Sequence, residues 1–146
     1  MKKGLFKLVW FVFPLTKLVY AYLAFTKNKG INNSFELINI LFIAIGFVAS
    51  LISIIFSRKI YQKSFYENKI VSAFLGMSGS TKDSPSENTV FNLFAMLLGL
   101  AESTALFGFV QFLLTGNLIV GIILFSLCFL AWLFNYPRNN GELSAS

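Results

Sequence analysis

Four apolar stretches occupy most of this sequence, and they constrain the fold more than any other feature. They cover residues 4–25, 35–56, 90–114 and 118–134. A helix of about 20 apolar residues crosses the hydrocarbon core of a bilayer. Inside that core no water is present to bind free backbone N–H and C=O groups, so crossing segments satisfy them within a helix. The sequence therefore predicts an all-α integral membrane bundle of four transmembrane helices, in a single transmembrane domain over residues 1–146.

The composition agrees with a chain that faces lipid. Charged residues make up 12% of the sequence and hydrophobic residues 56%, and the mean hydropathy is +0.72. A soluble domain carries about 25% charged residues. Half of that fraction cannot cover a water-facing surface, so membrane insertion is the interpretation that fits the composition.

The segment over residues 57–89 is the long hydrophilic part of the sequence. Its first half mixes Lys and Arg with apolar residues at helical spacing, which predicts a helix lying in the membrane interface or an extension of the second helix. Its second half is rich in Gly and Ser and predicts a flexible loop. The SPSE motif at residues 84–87 matches a capping box, with Ser84 as the N-cap of the third helix. The TGN motif at residues 115–117 predicts a tight turn before the fourth helix.

The basic residues indicate the orientation of the bundle. Four crossings place nine Lys and Arg residues on one side of the membrane and two on the other. Because cytoplasmic loops carry the excess of Lys and Arg, both termini and the 57–89 loop are predicted to be cytoplasmic. An alternative with three crossings, in which the first segment is cleaved or lies flat, stays open at this stage. Since these charges flank apolar runs, they predict attraction to anionic lipid heads and no nucleic-acid binding. The nine are Lys2, Lys3, Lys7, Arg58, Lys59, Lys63, Lys69, Lys82 and Arg138, and the two are Lys27 and Lys29.

The residue types that carry most enzyme chemistry are missing or isolated. The sequence has no histidine and one cysteine, Cys128. This removes the commonest general base and metal ligand, every Ser/His or Cys/His nucleophilic pair, and any internal disulfide or CxxC redox motif. Asp83 is the sole aspartate, which excludes a pair of catalytic aspartates. We therefore expect no catalytic residues, no metal site and no cofactor, and we do not expect an enzyme.

A single carboxylate, Glu102, lies near the middle of the third apolar stretch. A charged side chain at the bilayer centre costs at least about 2.5–3.5 kcal/mol, so a role for it is the default hypothesis. With both termini on one side, the first and third helices run in the same direction. At 1.5 Å per residue, Lys17 and Glu102 then lie at similar depths of roughly 20 and 18 Å, which permits an ion pair.

Other polar residues in the apolar stretches are predicted to support Glu102 and Lys17 in a polar interior. Two interpretations of the pair remain open. It is either an ion-binding carboxylate on a transport path or a structural ion pair that fixes helix packing. The supporting residues are Ser103, Thr104, Asn39 and Gln111, together with Ser50 and Ser53.

Residues 99–109, GLAESTALFGF, resemble the carboxylate-bearing helix of rotary-ATPase c subunits, the proteolipids. In that family a Glu flanked by Gly and Ala is followed by an Ala, an aromatic residue and a Gly. The resemblance implies that Glu102 binds and releases a proton or a sodium ion at mid-membrane.

The wider layout is similar to that of uncharacterised small bacterial four-helix membrane proteins. The similarity lies in the L-x-E-x-x-A-L-F-G stretch at residues 100–108, the FLLTGN turn at residues 112–117 and the closing Pro137-Arg138. It implies the same four-helix architecture and a multi-pass location in the cell membrane, as in a bacterial inner membrane.

Two functions are expected from these observations. The first is a small integral membrane protein of structural or accessory type, such as a subunit of a larger membrane assembly. Its partners would be the lipid bilayer and other membrane subunits or further copies of itself. The alternative is a proton- or sodium-translocating, proteolipid-like element that uses Glu102.

Overall fold

The computed structural model describes residues 3–27, 30–32, 34–68, 70–71 and 86–137. Within these ranges the chain is helical and has no strand, so the prediction of an all-α fold is confirmed. The helices are α1 (Lys3–Lys27), α2 (Leu37–Lys59), α3 (Lys63–Glu67), α4 (Glu87–Thr115) and α5 (Leu118–Phe134).

Three of these helices are long and apolar enough to cross a membrane. They are α1 over Gly4–Ala24, α2 over its whole length and α4 over its whole length. The fourth apolar helix, α5, has 17 residues. At 1.5 Å per residue it is about 25 Å long, shorter than a hydrocarbon core of about 30 Å. The described residues therefore contain three helices of membrane-span length and one shorter apolar helix, an arrangement compatible with a membrane protein.

The helix ends explain where α4 begins and why α5 turns back beside it. Ser86 is the N-cap of α4, and its hydroxyl accepts a hydrogen bond from the Thr89 N–H at 3.2 Å. The predicted capping box is therefore wrong: Ser84 lies outside the described residues, and Ser86 supplies the capping oxygen two positions later. Gly116 ends α4 with a φ of 69°, and the Asn117 side chain then caps α5 by accepting from the Val120 N–H. This two-residue link is the predicted tight turn, and it places α4 and α5 antiparallel.

Ring contacts fix the direction of α1 relative to α4. Phe6 and Phe94 pack near the start of both helices with centroids 5.1 Å apart, and Tyr20 stacks on Phe109 further along at 5.5 Å. The two helices therefore run in the same direction, which is the arrangement that brings Lys17 and Glu102 to one level.

Glycines allow α2, α4 and α5 to approach closely around one leucine. A Cβ at Gly108 would lie 3.0 Å from the Leu124 Cβ and 3.4 Å from the Gly121 carbonyl oxygen. A Cβ at Gly46 would overlap the Leu124 side chain. Leu124 is fully buried in the space that these glycines leave. Small residues at a helix contact favour association in lipid because they increase van der Waals packing.

The chain after α2 folds back onto the bundle. Ile60 is 1% exposed and Tyr61 4% exposed, and both belong to a core cluster with Phe6 and Phe94. The Tyr66 hydroxyl in α3 donates to the Ile60 carbonyl oxygen at 2.7 Å. Apolar side chains of the predicted interfacial segment thus cover the end of the bundle. Residue 69 and residues 72–85 of the hydrophilic segment lie outside the described residues.

Candidate functional site

An ion pair joins α1 to α4 in the middle of the bundle. The Lys17 Nζ lies 2.6 Å from the Glu102 Oε2, and the two side chains are 12% and 14% exposed. The structure therefore brings together the two residues that the depth comparison placed at one level. The opposite charges offset each other where lipid would otherwise surround a single ion.

The second carboxylate oxygen also has a partner on α1. The Thr16 hydroxyl donates to the Glu102 Oε1, while Lys17 occupies the Oε2. Lys17 donates in addition to the Phe13 carbonyl oxygen at 3.3 Å. Both oxygens of Glu102 are thus held by one neighbouring helix, and the charge of the carboxylate is matched by an ammonium and a hydroxyl.

Thr16 was missed at the level of sequence. Two adjacent residues on a helix point about 100° apart, so a Lys that faces a partner gives no reason to expect the preceding residue to face it too. Here Glu102 of α4 lies between the directions in which Thr16 and Lys17 point, and each of these side chains bonds one oxygen of the carboxylate. The rotation of α1 about its own axis, which the sequence does not encode in any local pattern, determines this contact.

Two grooves open on either side of the ion pair. The groove on the Glu102 side has a volume of about 390 Å³ and is lined by Thr16, Tyr20 and Ser103 among others from α1 and α4. The groove on the Lys17 side has a volume of about 750 Å³ and runs between α1, α4 and α5. Both are accessible from outside the bundle, so the ion pair forms a polar bridge between two mainly apolar clefts.

The predicted supporting residues lie at different places in the bundle. Ser103 lines the groove beside Glu102, but its hydroxyl donates to the Leu100 carbonyl oxygen of its own helix at 2.7 Å. Thr104 faces α2, where its hydroxyl lies 3.0 Å from the Ser50 hydroxyl and donates to the Gly46 carbonyl oxygen. Thr104 and Ser50 therefore join α2 to α4 and do not contact Glu102.

Ser53 joins α2 to α4 nearer the end of the bundle where α2 ends. Its hydroxyl donates to the Leu97 carbonyl oxygen at 2.9 Å and accepts from the Asn135 Nδ2 at 2.7 Å. This contact ties α2 to α4 and to the end of α5. Hydrogen bonds of this kind between membrane helices contribute about 0.6 kcal/mol each on average.

Asn39 and Gln111 form a separate polar cluster beside the turn between α4 and α5. The Gln111 Nε2 donates to the Asn39 Oδ1 at 2.8 Å and to the Thr115 hydroxyl at 2.7 Å. The Asn117 Nδ2 donates to the Ser34 carbonyl oxygen at 2.9 Å. The cluster links the start of α2 to the α4–α5 turn and has no contact with the ion pair.

No metal site is found in the part of the chain that the structure describes, because it contains no group of three or more His, Cys, Asp or Glu side chains. The site at Lys17 and Glu102 offers one carboxylate, one ammonium and the Thr16 hydroxyl that bonds the carboxylate. This set can hold two helices together or exchange a proton.

Comparison with protein-family models, with curated proteins and with solved structures found no match for this chain. The resemblances to proteolipids and to small bacterial membrane proteins remain predictions from the sequence.

Proposed function

We propose that this chain is a small multi-pass membrane protein of structural or accessory type, in which the Lys17–Glu102 pair fastens α1 to the rest of the bundle. The observation that carries the proposal is that both oxygens of Glu102 are bonded by side chains of α1. Most of α1 is exposed, and its helix contacts lie chiefly along α4. A polar contact halfway along such a helix favours the rotation and the depth at which it forms.

The proposal includes four crossings with both termini in the cytoplasm of a bacterial cell, and an interfacial helix after α2. It is supported by the parallel α1 and α4, by the two-residue turn into α5 and by the position of the basic residues. Lys7, Arg58 and Lys63 lie at the end of the bundle that would face the cytoplasm. A larger membrane assembly or a homo-oligomer would use the exposed apolar faces.

A double-mutant cycle tests the structural role of the pair. Lys17→Met and Glu102→Gln each leave one charge without its opposite, so each is expected to destabilise the protein by about 3–5 kcal/mol, the range for breaking a buried pair. The double variant removes both charges and is expected to recover at least half of that loss. The measurement is thermal unfolding of the full chain in detergent. Losses that simply add in the double variant contradict the structural proposal.

A search for partners tests the accessory role. The tagged full chain is purified from membranes in mild detergent, and its mass is measured with lipid and protein still bound. A stoichiometric membrane partner or a defined oligomer is the expected result. A monomer with no partner, whose deletion leaves every membrane complex of the cell intact, contradicts an accessory role.

Proton or sodium translocation through Glu102 is a second candidate function, and a specific observation favours it. The Thr16 hydroxyl lies 2.7 Å from the Phe13 carbonyl oxygen and also bonds Glu102. A hydroxyl has one proton to donate. It donates to Glu102 when the carboxylate is ionised. When Glu102 is protonated, the carboxyl group donates to Thr16, and Thr16 donates to Phe13. The site thus accommodates Glu102 in both states.

Labelling with a hydrophobic carbodiimide tests this second function. The reagent enters from the bilayer and reacts with a protonated carboxyl group, and the 390 Å³ groove provides its path to Glu102. Labelling is expected in the wild-type protein, with loss at high pH, protection by sodium if sodium is the ion, and none in Glu102→Gln. Absence of labelling in wild-type membranes at low pH contradicts translocation through this residue and leaves the structural proposal standing.

A further inference from the structure

We propose that the corner where α2 meets α5 binds the headgroup of an anionic phospholipid. This corner lies at the end of the bundle that carries Lys7, Arg58 and Lys63, the basic end. This surface, the α2–α5 corner, consists of Ile55, Arg58 and Lys59 of α2 with Phe134 of α5. All four side chains are exposed. Ile55 lies three and four residues before the two cations and therefore shares their face of the helix.

Aromatic rings position both cations at this corner. The Arg58 guanidinium lies 5.8 Å from the centroid of the Phe134 ring, so it bridges the last turns of α2 and α5. The Lys59 Nζ lies 5.7 Å from the centroid of the Phe56 ring. Contacts of this kind hold the aliphatic part of a side chain against apolar surface while the charged end reaches the polar headgroup region.

Among the described residues, no acidic side chain forms an ion pair with Arg58 or Lys59. The ion pair found in these ranges joins Lys17 to Glu102. Arg58 and Lys59 lie in the last turn of α2, where the carbonyl groups of the helix end favour positive charge. Lys63 and Lys7 add further exposed positive charge at the same end. The corner therefore carries positive charge that a phosphate can complement.

The depth of the corner favours a lipid over a free anion. Tyr136 lies at the same end of the bundle and is 48% exposed, and exposed Tyr and Trp residues mark the boundary between headgroups and hydrocarbon. A phospholipid at this level presents its phosphate to Arg58 and an acyl chain to Ile55 and Phe134, which are each 45% exposed. A free phosphate would gain only the first of these contacts.

Two charge-matched variants of the full chain test the proposal. Arg58→Gln/Lys59→Gln removes two charges from the corner, and Lys7→Gln/Lys63→Gln removes two from the same end outside it. Binding of phosphatidylglycerol, phosphatidylcholine and inorganic phosphate is followed by thermal stabilisation of the purified protein in detergent. Because each basic residue near an anionic surface contributes about 1 kcal/mol, we expect phosphatidylglycerol to bind roughly 30-fold more weakly to the corner variant. The control variant is expected to lose less than about threefold, because Lys7 and Lys63 lie outside the corner and their charges are screened over distance.

Three outcomes overturn the proposal. One is equal loss in both double variants, which would indicate general surface potential. Another is no preference of the wild-type protein for phosphatidylglycerol over phosphatidylcholine. The third is a stabilisation that inorganic phosphate reproduces alone, which would indicate a phosphate site without a lipid. If the corner double variant does not fold, Arg58→Lys replaces it. That variant keeps the charge but loses the planar fork that bonds two phosphate oxygens, and unchanged phosphatidylglycerol binding would contradict the role of Arg58.

Discussion

Trp10 and Trp132 exchange hydrogen bonds between α1 and α5. The Trp10 Nε1 donates to the Trp132 carbonyl oxygen at 2.9 Å, and the Trp132 Nε1 donates to the Trp10 carbonyl oxygen at 2.9 Å. Their rings stack with centroids 4.1 Å apart and planes 12° apart. The Trp10 carbonyl is available because Pro14, four residues on, has no N–H to donate to it. The proline of α1 thus creates the acceptor that attaches α1 to α5.

This exchange predicts that Trp132→Phe destabilises the protein, because Pro14 leaves the Trp10 carbonyl oxygen with the Trp132 Nε1 as its donor. The substitution keeps a stacking ring but removes the donor to the Trp10 carbonyl oxygen, for an expected loss of about 1 kcal/mol. In a Pro14→Ala background the same substitution is expected to be nearly neutral, because the backbone N–H that alanine restores can bond that carbonyl within the helix. Thermal unfolding of the four proteins of this cycle provides the measurement. The same loss in both backgrounds would show that the freed carbonyl is not what Trp132 recognises.

Tyr61 and Tyr66 are two buried phenols with opposite hydrogen-bonding status. Among the described atoms the Tyr61 hydroxyl has no hydrogen-bond partner, while the Tyr66 hydroxyl donates to the Ile60 carbonyl oxygen. Tyr66→Phe is therefore expected to lower the free energy of unfolding by about 1 kcal/mol. Tyr61→Phe removes a buried polar atom without a match and is expected to leave stability unchanged or raise it. Each variant serves as the control for the other in thermal unfolding, and a larger loss for Tyr61→Phe would reverse the assignment.

Burial of these phenols also predicts a stability change at alkaline pH. Burial raises the pKa of Tyr66 from 10.0 to about 12, and burial together with the nearby Tyr66 raises the pKa of Tyr61. A group whose pKa is higher in the folded state stabilises the fold fully below its unfolded pKa. That stability is lost as the pH rises from about 10 through about 12. The unfolding temperature should fall over this interval, and the fall should be smaller in Tyr66→Phe. Absorbance of tyrosinate would show late titration of the buried phenols, and its absence would contradict their burial.

The sequence predicted depth better than it predicted direction around a helix axis. Helix rise is constant, so counting residues from the ends brought Lys17 and Glu102 to one level, and the structure has them in contact. The same count places Asn39 near the start of α2 and Gln111 near the end of the antiparallel α4, where they bond each other. Thr104 was grouped with Glu102 as a polar residue of the apolar stretches, yet side chains two residues apart on a helix point about 200° apart. It accordingly faces α2.

Contacts between the chain's two ends were not predictable in the same way. The Trp10–Trp132 exchange needs a carbonyl freed by Pro14, a helix end at Trp132 and a particular rotation of both helices. Each component is visible in the sequence, but the pairing depends on how α1 packs against α4 and α5 in the complete bundle. The N-cap of α4 was misplaced for a simpler reason, since Ser84 and Ser86 offer the same capping oxygen two positions apart.

The atoms around each glycine of α4 predict where this helix tolerates a methyl group and where it does not. A Cβ at Gly108 would meet Leu124 at 3.0 Å and Phe125 at 3.2 Å, whereas a Cβ at Gly99 would meet nothing within 4 Å. Gly108→Ala is therefore expected to destabilise the protein by about 1–3 kcal/mol, the range for overpacking. Gly99→Ala is expected to be neutral or stabilising, since Ala favours a helix over Gly by about 1 kcal/mol. Thermal unfolding of the two variants compares one substitution at two depths of the same helix. Equal effects would contradict the close approach of α4 and α5.

The number of crossings is tested by the side from which introduced cysteines are labelled. The native Cys128 is fully buried and gives a low background. Four crossings predict that Ile31→Cys, between α1 and α2, reacts with a membrane-impermeant thiol reagent from outside the cell. Ser86→Cys and Tyr136→Cys, before α4 and after α5, should react only after the membrane is opened. A cysteine at Lys3 separates the alternatives for α1, because a first segment that lies flat leaves Lys3 and Ile31 on the same side. External labelling at Tyr136 would instead show that α5, with its 17 residues, does not cross.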